Sequence, residues 1–484
     1  MSLAQGASFS FSLSVLVFCT NLNPVSLGRI LIPGPPLGSR WAVVNKVAAE
    51  LVRAGHEVTM LVTEGTEDSI RDRGKFSLLT TRHPDALRYY KQRANKRVSL
   101  TPSQGVLRLV PEDLYSALSY VLDHAKLYEL FASECEATFQ QGVLNGTEFD
   151  VVLSDFLSPC AVILARHLGR PVVSLARGTP GGYDLTAAGV PMPPAYVPQL
   201  GLTLTDDMTF LQRLENVLVQ LVTSSLTGSV LLRPFDRLAR EQTGVSVAEL
   251  LASTDLWLRH TDPLCETPRP VMPNMVYIGG ITAERPKPLT QELEESLAKV
   301  AGENIAVVSF GSMIDHFDAD LAEVLSTALG RLPYKVVWRY RGPSPRHLGN
   351  NTVLLPWLPQ NDLLGDRRTR LFVTHGGASG VQEAQYHGVP IVGVPLFRDQ
   401  FSNLARVEAL GTGRAVRLGE LTADSLHRAL QDVTNNHTYR ENARRLSRLY
   451  RDQPETPMQR AVWWISHVIR HGGLPHIRSR FEEV

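Results

Sequence analysis

The sequence reads as an α/β chain with two domains. Three observations carry this. A short apolar strand pattern, Arg29–Pro33, is followed by a helical stretch and a second strand pattern, Glu57–Val62. A second strand–helix–strand unit occupies Leu371–Val394, with His375-Gly376-Gly377 at its first turn. Between the two, Glu284–Leu289 (ERPKPL) has the composition of an exposed connection. Parallel strands joined by crossover helices give α/β folds.

A chain of 484 residues fits two or three domains with ample core. Hydrophobic content of 43% and charged content of 20% are those of a globular protein. The formal charge of +1 gives no pull on a polyanion, and no basic run is interleaved with aromatics, so no nucleic-acid partner is expected. Four cysteines, Cys19, Cys135, Cys160 and Cys265, show neither metal spacing nor a disulfide framework. No metal is expected.

In chain order, Ser8–Cys19 is an apolar run too short to span a bilayer. It fits the core of a signal peptide over residues 1–27, although no Lys or Arg precedes it and no A-x-A site follows. Sequons at Asn145, Asn350 and Asn436 are compatible with a lumenal route. After the strand Arg29–Pro33, Gly34–Gly38 is a turn without G-x-G-x-x-G, which disfavours a nicotinamide dinucleotide. Trp41–Arg53 has helical periodicity closed by Gly55. Asp150–Ser154 and Pro171–Leu175 are strands with a helix between them, and 105–140 and 205–245 read as helical. The first domain covers 28–282, the connection 283–302, and the second domain 303–442, opening on the strand Ile305–Phe310. Helices are expected over 443–484. No run elsewhere is long and apolar enough to span a membrane.

The stretch Trp357–Gln400 is the most specific in the chain. Its residues Trp357, Pro359, Gln360, Asn361, Asp362, His375, Gly376, Gly377, Glu383, Tyr386, His387, Gly388, Pro390, Pro395, Asp399 and Gln400 resemble the signature of the UDP-glycosyltransferases, in particular the animal UDP-glucuronosyltransferase superfamily. The resemblance runs from about Gly28 to Arg478. It implies the GT-B architecture, two facing Rossmann-like domains with the active site in the interdomain cleft. The first domain would bind the acceptor, with 105–140 and 205–245 as its wall, and the second the UDP-sugar. Pro457–His471 would cross back to the first domain. The implied reaction is metal-independent transfer of a hexosyl or glucuronosyl group, with inversion, from a UDP-sugar to a small lipophilic acceptor. The UDP-sugar is a co-substrate and no cofactor is implied. The implied location is the endoplasmic reticulum lumen or secretory pathway. Relatives continue past a segment like Trp463-Trp464-Ile465 into a membrane span, and this chain is expected to lack that C-terminal anchor. Membrane association by another surface and homo-oligomerisation stay open.

Several residues acquire donor-site roles. Trp357 offers a flat face to uracil, and Gln360 an amide to the ribose or base. His375 and the N–H groups of Gly376 and Gly377, at a helix start, suit the diphosphate. Gly311-Ser312 form a second phosphate-facing turn. Ser379 stands in the first helical turn, where relatives commonly carry Asn. Glu383 can accept both ribose hydroxyls, while Asp399 and Gln400 look like the pair that reads the transferred sugar.

The catalytic pattern breaks at one place. Relatives carry a histidine base in a motif like G-S-H-W, oriented by an aspartate. Asp155 matches the aspartate, but the chain reads Gly38-Ser39-Arg40-Trp41. Arg40 cannot act as a base, because its pKa exceeds about 12. The enzyme would then serve acceptors that need little deprotonation, or draw a histidine such as His124 from the acceptor wall. The alternative is an impaired or noncatalytic UDP-sugar binder. His56 reads as structural. Glucuronosyl-transferring relatives often carry W-L-I-R; here Trp257-Leu258-Arg259-His260 puts His260 at the arginine position. Arg259, one residue early, is expected on the opposite side of the strand. The identity of the sugar therefore stays open.

Overall fold

The computed structural model describes residues 27–34, 38–70, 72–95, 112–155, 158–176, 183–312, 314 and 316–478, with the side chains of 38–40, 91–95, 112–123 and 183–184 excluded. The expected signal peptide and the Arg40 side chain lie outside this set.

Seven parallel strands form the first sheet: β1 (Arg29–Pro33), β2 (Glu57–Thr63), β3 (Ser77–Thr81), β4 (Val151–Asp155), β5 (Val172–Ala176), β6 (Leu256–Arg259) and β7 (Met275–Tyr277). Their order is β3-β2-β1-β4-β5-β6-β7. Six more form the second sheet: β8 (Ile305–Ser309), β9 (Lys335–Arg339), β10 (Thr352–Leu355), β11 (Thr369–Thr374), β12 (Ile391–Gly393) and β13 (Gly413–Ala415). Their order is β10-β9-β8-β11-β12-β13. Each sheet is covered by helices on both faces, which explains strands apolar on both sides. In β4, Val152 enters one core with Leu31, while Val151 and Leu153 enter the opposite core with Ile30 and Ile32.

Both sheets reverse their winding beside their first strand. The reversal lies between β1 and β4 in the first sheet and between β8 and β11 in the second. Loops leaving the carboxyl ends of those strands diverge and leave a crevice. Gly34, which follows β1, and Asp155 at the end of β4 flank one crevice. Gly311 and His375 flank the other.

In this part of the molecule the structure departs from the sequence reading at the connection, in the apolarity of one expected helix and at a disulfide. The stretch 283–302 is only partly an exposed connection: Gln291–Ala298 is a helix, and Leu293 and Leu297 enter the second domain's core. The helix at 205–245 is one continuous run, Phe210–Thr243, with a π segment at Thr227–Leu232. Among the described residues it is the one helix long and apolar enough to cross a membrane: within its 34 residues an 18-residue window reaches a mean hydropathy of 1.2, contrary to expectation. Its inner face nonetheless belongs to the domain, since Leu231, Phe235 and Leu238 are buried in the first core. The last of these departures is a disulfide between Cys135 and Cys160, 25 residues apart, which joins the helix Glu112–Gln140 to Cys160–His167. These helices meet only in the fold, so spacing gave no sign of the pair.

The helix Pro457–His471 follows the second domain in sequence but packs against the first. Ala461, Ile465 and Val468 are buried with Ile30, Val44 and Val47 of that domain. Ser466 Oγ lies 2.8 Å from Nε2 of His56, whose Nδ1 accepts from the Gly28 amide at 3.2 Å. His56 thus has a structural role. Replacing Ile465, which is fully buried, with alanine is expected to destabilise the first domain by about 2–5 kcal/mol. Urea unfolding followed by a first-domain probe checks this.

Candidate active site

The site begins at the second reversal point. His375 directly follows β11, and its imidazole is wedged between two glycines. A Cβ on Gly311 would meet Cε1 and Nε2 at 2.8 Å, and one on Gly377 would meet Nε2 at 2.6 Å. Gly311 also holds φ at +78° and Gly376 at +85°, which favours glycine in both turns. Nδ1 lies 3.2 Å from the Thr374 hydroxyl. Burial pushes the His375 pKa down to about 4 despite the opposing charge of Asp399, so the ring is neutral at pH 7. A neutral ring with Nδ1 on the Thr374 hydroxyl keeps its Nε2 edge for the space between the glycines. The helix Ala378–His387 starts at the same spot, and its N-terminus points there. The combination suits an anion.

Around it stand the other expected residues. Glu383 accepts from Gln360 Nε2 at 2.7 Å. Burial raises the Glu383 pKa to about 7, with the Gln360 bond and the charge of Lys46 opposing. Trp357 is 53% exposed, so its ring reaches solvent beside the site. Arg339, not singled out in the sequence, packs its guanidinium 5.6 Å from that ring and donates to the Gly311 and Ile314 carbonyls. It ties the platform to the Gly311 turn, beyond which Ser312 is exposed. Ser379 is half-buried in the first helical turn. Asn403 bridges the site, donating to Asp399 Oδ2 at 3.0 Å and to the Gly376 carbonyl at 2.9 Å. Gln400 lies behind its loop, its Oε1 accepting from the amides of Leu396 and Phe397 at 2.8 and 3.0 Å. That oxygen is committed to the loop, which leaves the Gln400 N–H donors as its polar reach.

Other signature residues hold the domains together. Asn361 Oδ1 accepts from the Glu284 amide and from His387 Nε2, both at 3.0 Å, and Asp362 accepts from the Lys287 amide. These bonds dock the interdomain connection. On the donor helix, Gln382 accepts from the Gly280 amide at 2.8 Å and donates to the His260 carbonyl at 3.0 Å. The helix that carries Glu383 is therefore also seated on the first domain.

A family model described as "UDP-glucoronosyl and UDP-glucosyl transferase" matches residues 28–484. The chain belongs to this family. It is 38% identical over 459 residues to UDP-glucuronosyltransferase 1-2 of Rattus norvegicus, covering 93% of this chain and 84% of that protein. It is 38% identical over 460 residues to UDP-glucuronosyltransferase 1A4 of Homo sapiens, with the same two coverages. Among solved structures, the glycosyltransferase of kitacinnamycin matches with a TM-score of 0.60 at 20% identity, covering 91% of this chain and 98% of that one. The calicheamicin glycosyltransferase CalG4 matches with a TM-score of 0.60 at 19% identity, over 92% and 99%. The fold is GT-B, and the protein is a UDP-dependent glycosyltransferase.

On the first-domain side of this transferase, Asp155 is buried at the end of β4, and the turn after β1 adjoins it. A Cβ on Gly34 would lie 3.8 Å from Asp155 Cβ. Arg40 belongs to the first turn of the helix Gly38–Arg53, which follows that loop. Arg259 and His260 do not face opposite ways: both are 2% exposed and line one interdomain cavity with Gln199, Gln382 and Asp399. β6 ends at Arg259, so the strand alternation no longer separates them. Arg259 pairs with Glu266 at 2.8 Å. Burial opposes the Glu266 charge, but Arg259 and Arg269 hold its pKa below the usual range. His124 is buried and contacts Arg398 across the cleft.

Two predictions follow from this geometry. Gly377→Ala places a methyl group on the His375 ring and is expected to weaken UDP binding at least tenfold, as measured by calorimetry, without unfolding the protein. If Glu383 takes the ribose, its ionised form can accept both hydroxyls, whereas a protonated one cannot. Affinity for UDP-glucose should therefore rise with pH through about 7. Glu383→Gln should bind more weakly and show no such rise, measured between pH 6 and pH 8.

Proposed function

We propose that the chain transfers a hexosyl or glucuronosyl group from its UDP-sugar to a small lipophilic acceptor, with inversion and without a metal. The observation that carries this is the neutral His375 wedged between Gly311 and Gly377 at the sheet's reversal point, with Trp357 and Glu383 placed for base and ribose. The helix N-terminus and His375 would take up the charge of the departing UDP, the part played elsewhere by a cation. Asp155 holds the corresponding reversal point of the first sheet, opposite the donor. There it orients whatever group takes the acceptor proton. The acceptor enters along the wall built by Glu112–Gln140 and Phe210–Thr243.

We place the protein in the endoplasmic reticulum lumen or secretory pathway. The disulfide Cys135–Cys160 needs an oxidising compartment, and Asn145, Asn350 and Asn436 of the sequons are all exposed. Phe210, Leu211, Leu214, Leu218 and Leu221 stand exposed along one helix. That apolar stripe supports association with a membrane surface.

A second reading, a UDP-sugar binder with impaired turnover, is favoured by Arg40 at the family's histidine position. A panel of UDP-sugars with phenols, amines and steroids, read by UDP release and product mass, separates the two. Product with any donor supports the transferase; calorimetric binding with no product at any pH supports the binder. Arg40→His should speed phenol and alcohol acceptors by up to about 10²–10⁴-fold, the usual worth of general-base catalysis, and amines by less. The gain should disappear when Asp155→Asn is added.

A further inference from the structure

We propose that Arg398 is a positioning residue that fastens the sugar-reading loop of the second domain to the acceptor wall of the first. Two observations carry the inference. Arg398 holds φ at +63° and is, with Asp72, one of two non-glycine residues at positive φ among those described. Such a backbone is costly for a side chain with a Cβ, and it persists only where the surroundings impose it. Its guanidinium also crosses the cleft. Nη2 lies 2.6 Å from Nε2 of His124, in the helix Glu112–Gln140. A guanidinium can only donate, so His124 Nε2 accepts, and its ring is neutral with the proton on Nδ1.

Each end of this link is anchored. Arg398 immediately precedes Asp399, which Asn403 ties to the Gly376 carbonyl of the phosphate turn. On the other side, the helix carrying His124 is held to the first sheet. Thr138 bonds Thr81 at 2.9 Å, and Glu134 accepts from Thr63 and from Tyr90, the latter at 2.6 Å. The Arg398–His124 bond therefore joins two rigid bodies, one built around the donor and one lining the acceptor side. It adds, at the mouth of the cleft, to the links that Gln382 and Ser402 make between the domains. The same bond engages the His124 lone pair that a general base would need, so His124 serves alignment and not proton transfer.

This inference rests on the transferase reading, and its test includes a readout that does not need turnover. The full chain is compared with Arg398→Gly, His124→Ala and the double variant. Glycine suits φ of +63°, so Arg398→Gly should unfold at the same temperature as the parent or higher. UDP affinity should stay unchanged, while kcat/KM for transfer falls about 10–10²-fold through misalignment. The double variant should be no worse than Arg398→Gly, because the two residues act as one link. Hydrogen exchange near His124 should quicken in Arg398→Gly even if no acceptor is turned over. A lowered melting temperature matching the activity loss overturns the proposal, since Arg398 is then only structural. Unchanged exchange at His124, additive effects in the double variant, or undiminished turnover in Arg398→Gly also overturn it. Absence of turnover in the parent counts against the transferase reading and leaves the exchange result to decide this one.

Discussion

The site depends on the lack of a Cβ at Gly311 and Gly377. The His375 ring occupies the volume those atoms would fill. The two glycines belong to loops leaving β8 and β11, the neighbouring strands where the second sheet reverses. The histidine thereby packs both loops edge to edge and sets the width of the crevice that meets the donor. Its burial has an electrostatic consequence. With a pKa near 4 the ring is neutral, so it offers one directed donor without bringing a buried charge of its own. The helix N-terminus then supplies the positive potential.

A second constraint is that one helix serves two purposes. Ala378–His387 carries Glu383, proposed to meet the donor, and Gln382, which bonds Gly280 and His260 of the first domain. Any movement of that helix alters donor contacts and domain seating together. The returning helix Pro457–His471 works in the same direction by burying Ile465 in the first core. The cleft therefore lies between two bodies joined through the connection at Asn361 and Asp362, through Gln382 and through the C-terminal helix. The anchoring of the connection lets the acceptor wall and the donor loops share one frame.

Much of this was legible in the sequence because it depends on local patterns. The strand ending at Thr374, the turn at His375–Gly377 and the helix stop at Gly388 follow from apolar runs and glycine placement. Gly388 takes the left-handed conformation of a helix C-cap. The sequence did not reveal partnerships between distant residues. Arg339 ends β9, which no motif marks in the sequence, yet its side chain anchors the Gly311 turn. Asn361 and His387 stand in the signature with no role attached, and the structure has them hold the connection. Cys135 and Cys160 have no spacing to betray them. Arg259 and His260 were expected on opposite sides because alternation assumes a strand that continues, and β6 stops between them. Strands β3, β7, β10 and β13 lie at sheet edges, where the apolar signal is weak.

Hydrogen exchange of the intact chain with and without UDP tests the central claim most directly. If the diphosphate sits at the reversal point of the second sheet, UDP should slow exchange at the amides of Gly311, Ser312, Gly376, Gly377 and Ser379. The amides of β13 and of the first sheet's outer strands should be unaffected. Protection confined to the first domain, or the absence of protection at either glycine turn under saturating UDP, would contradict the assignment of the donor site.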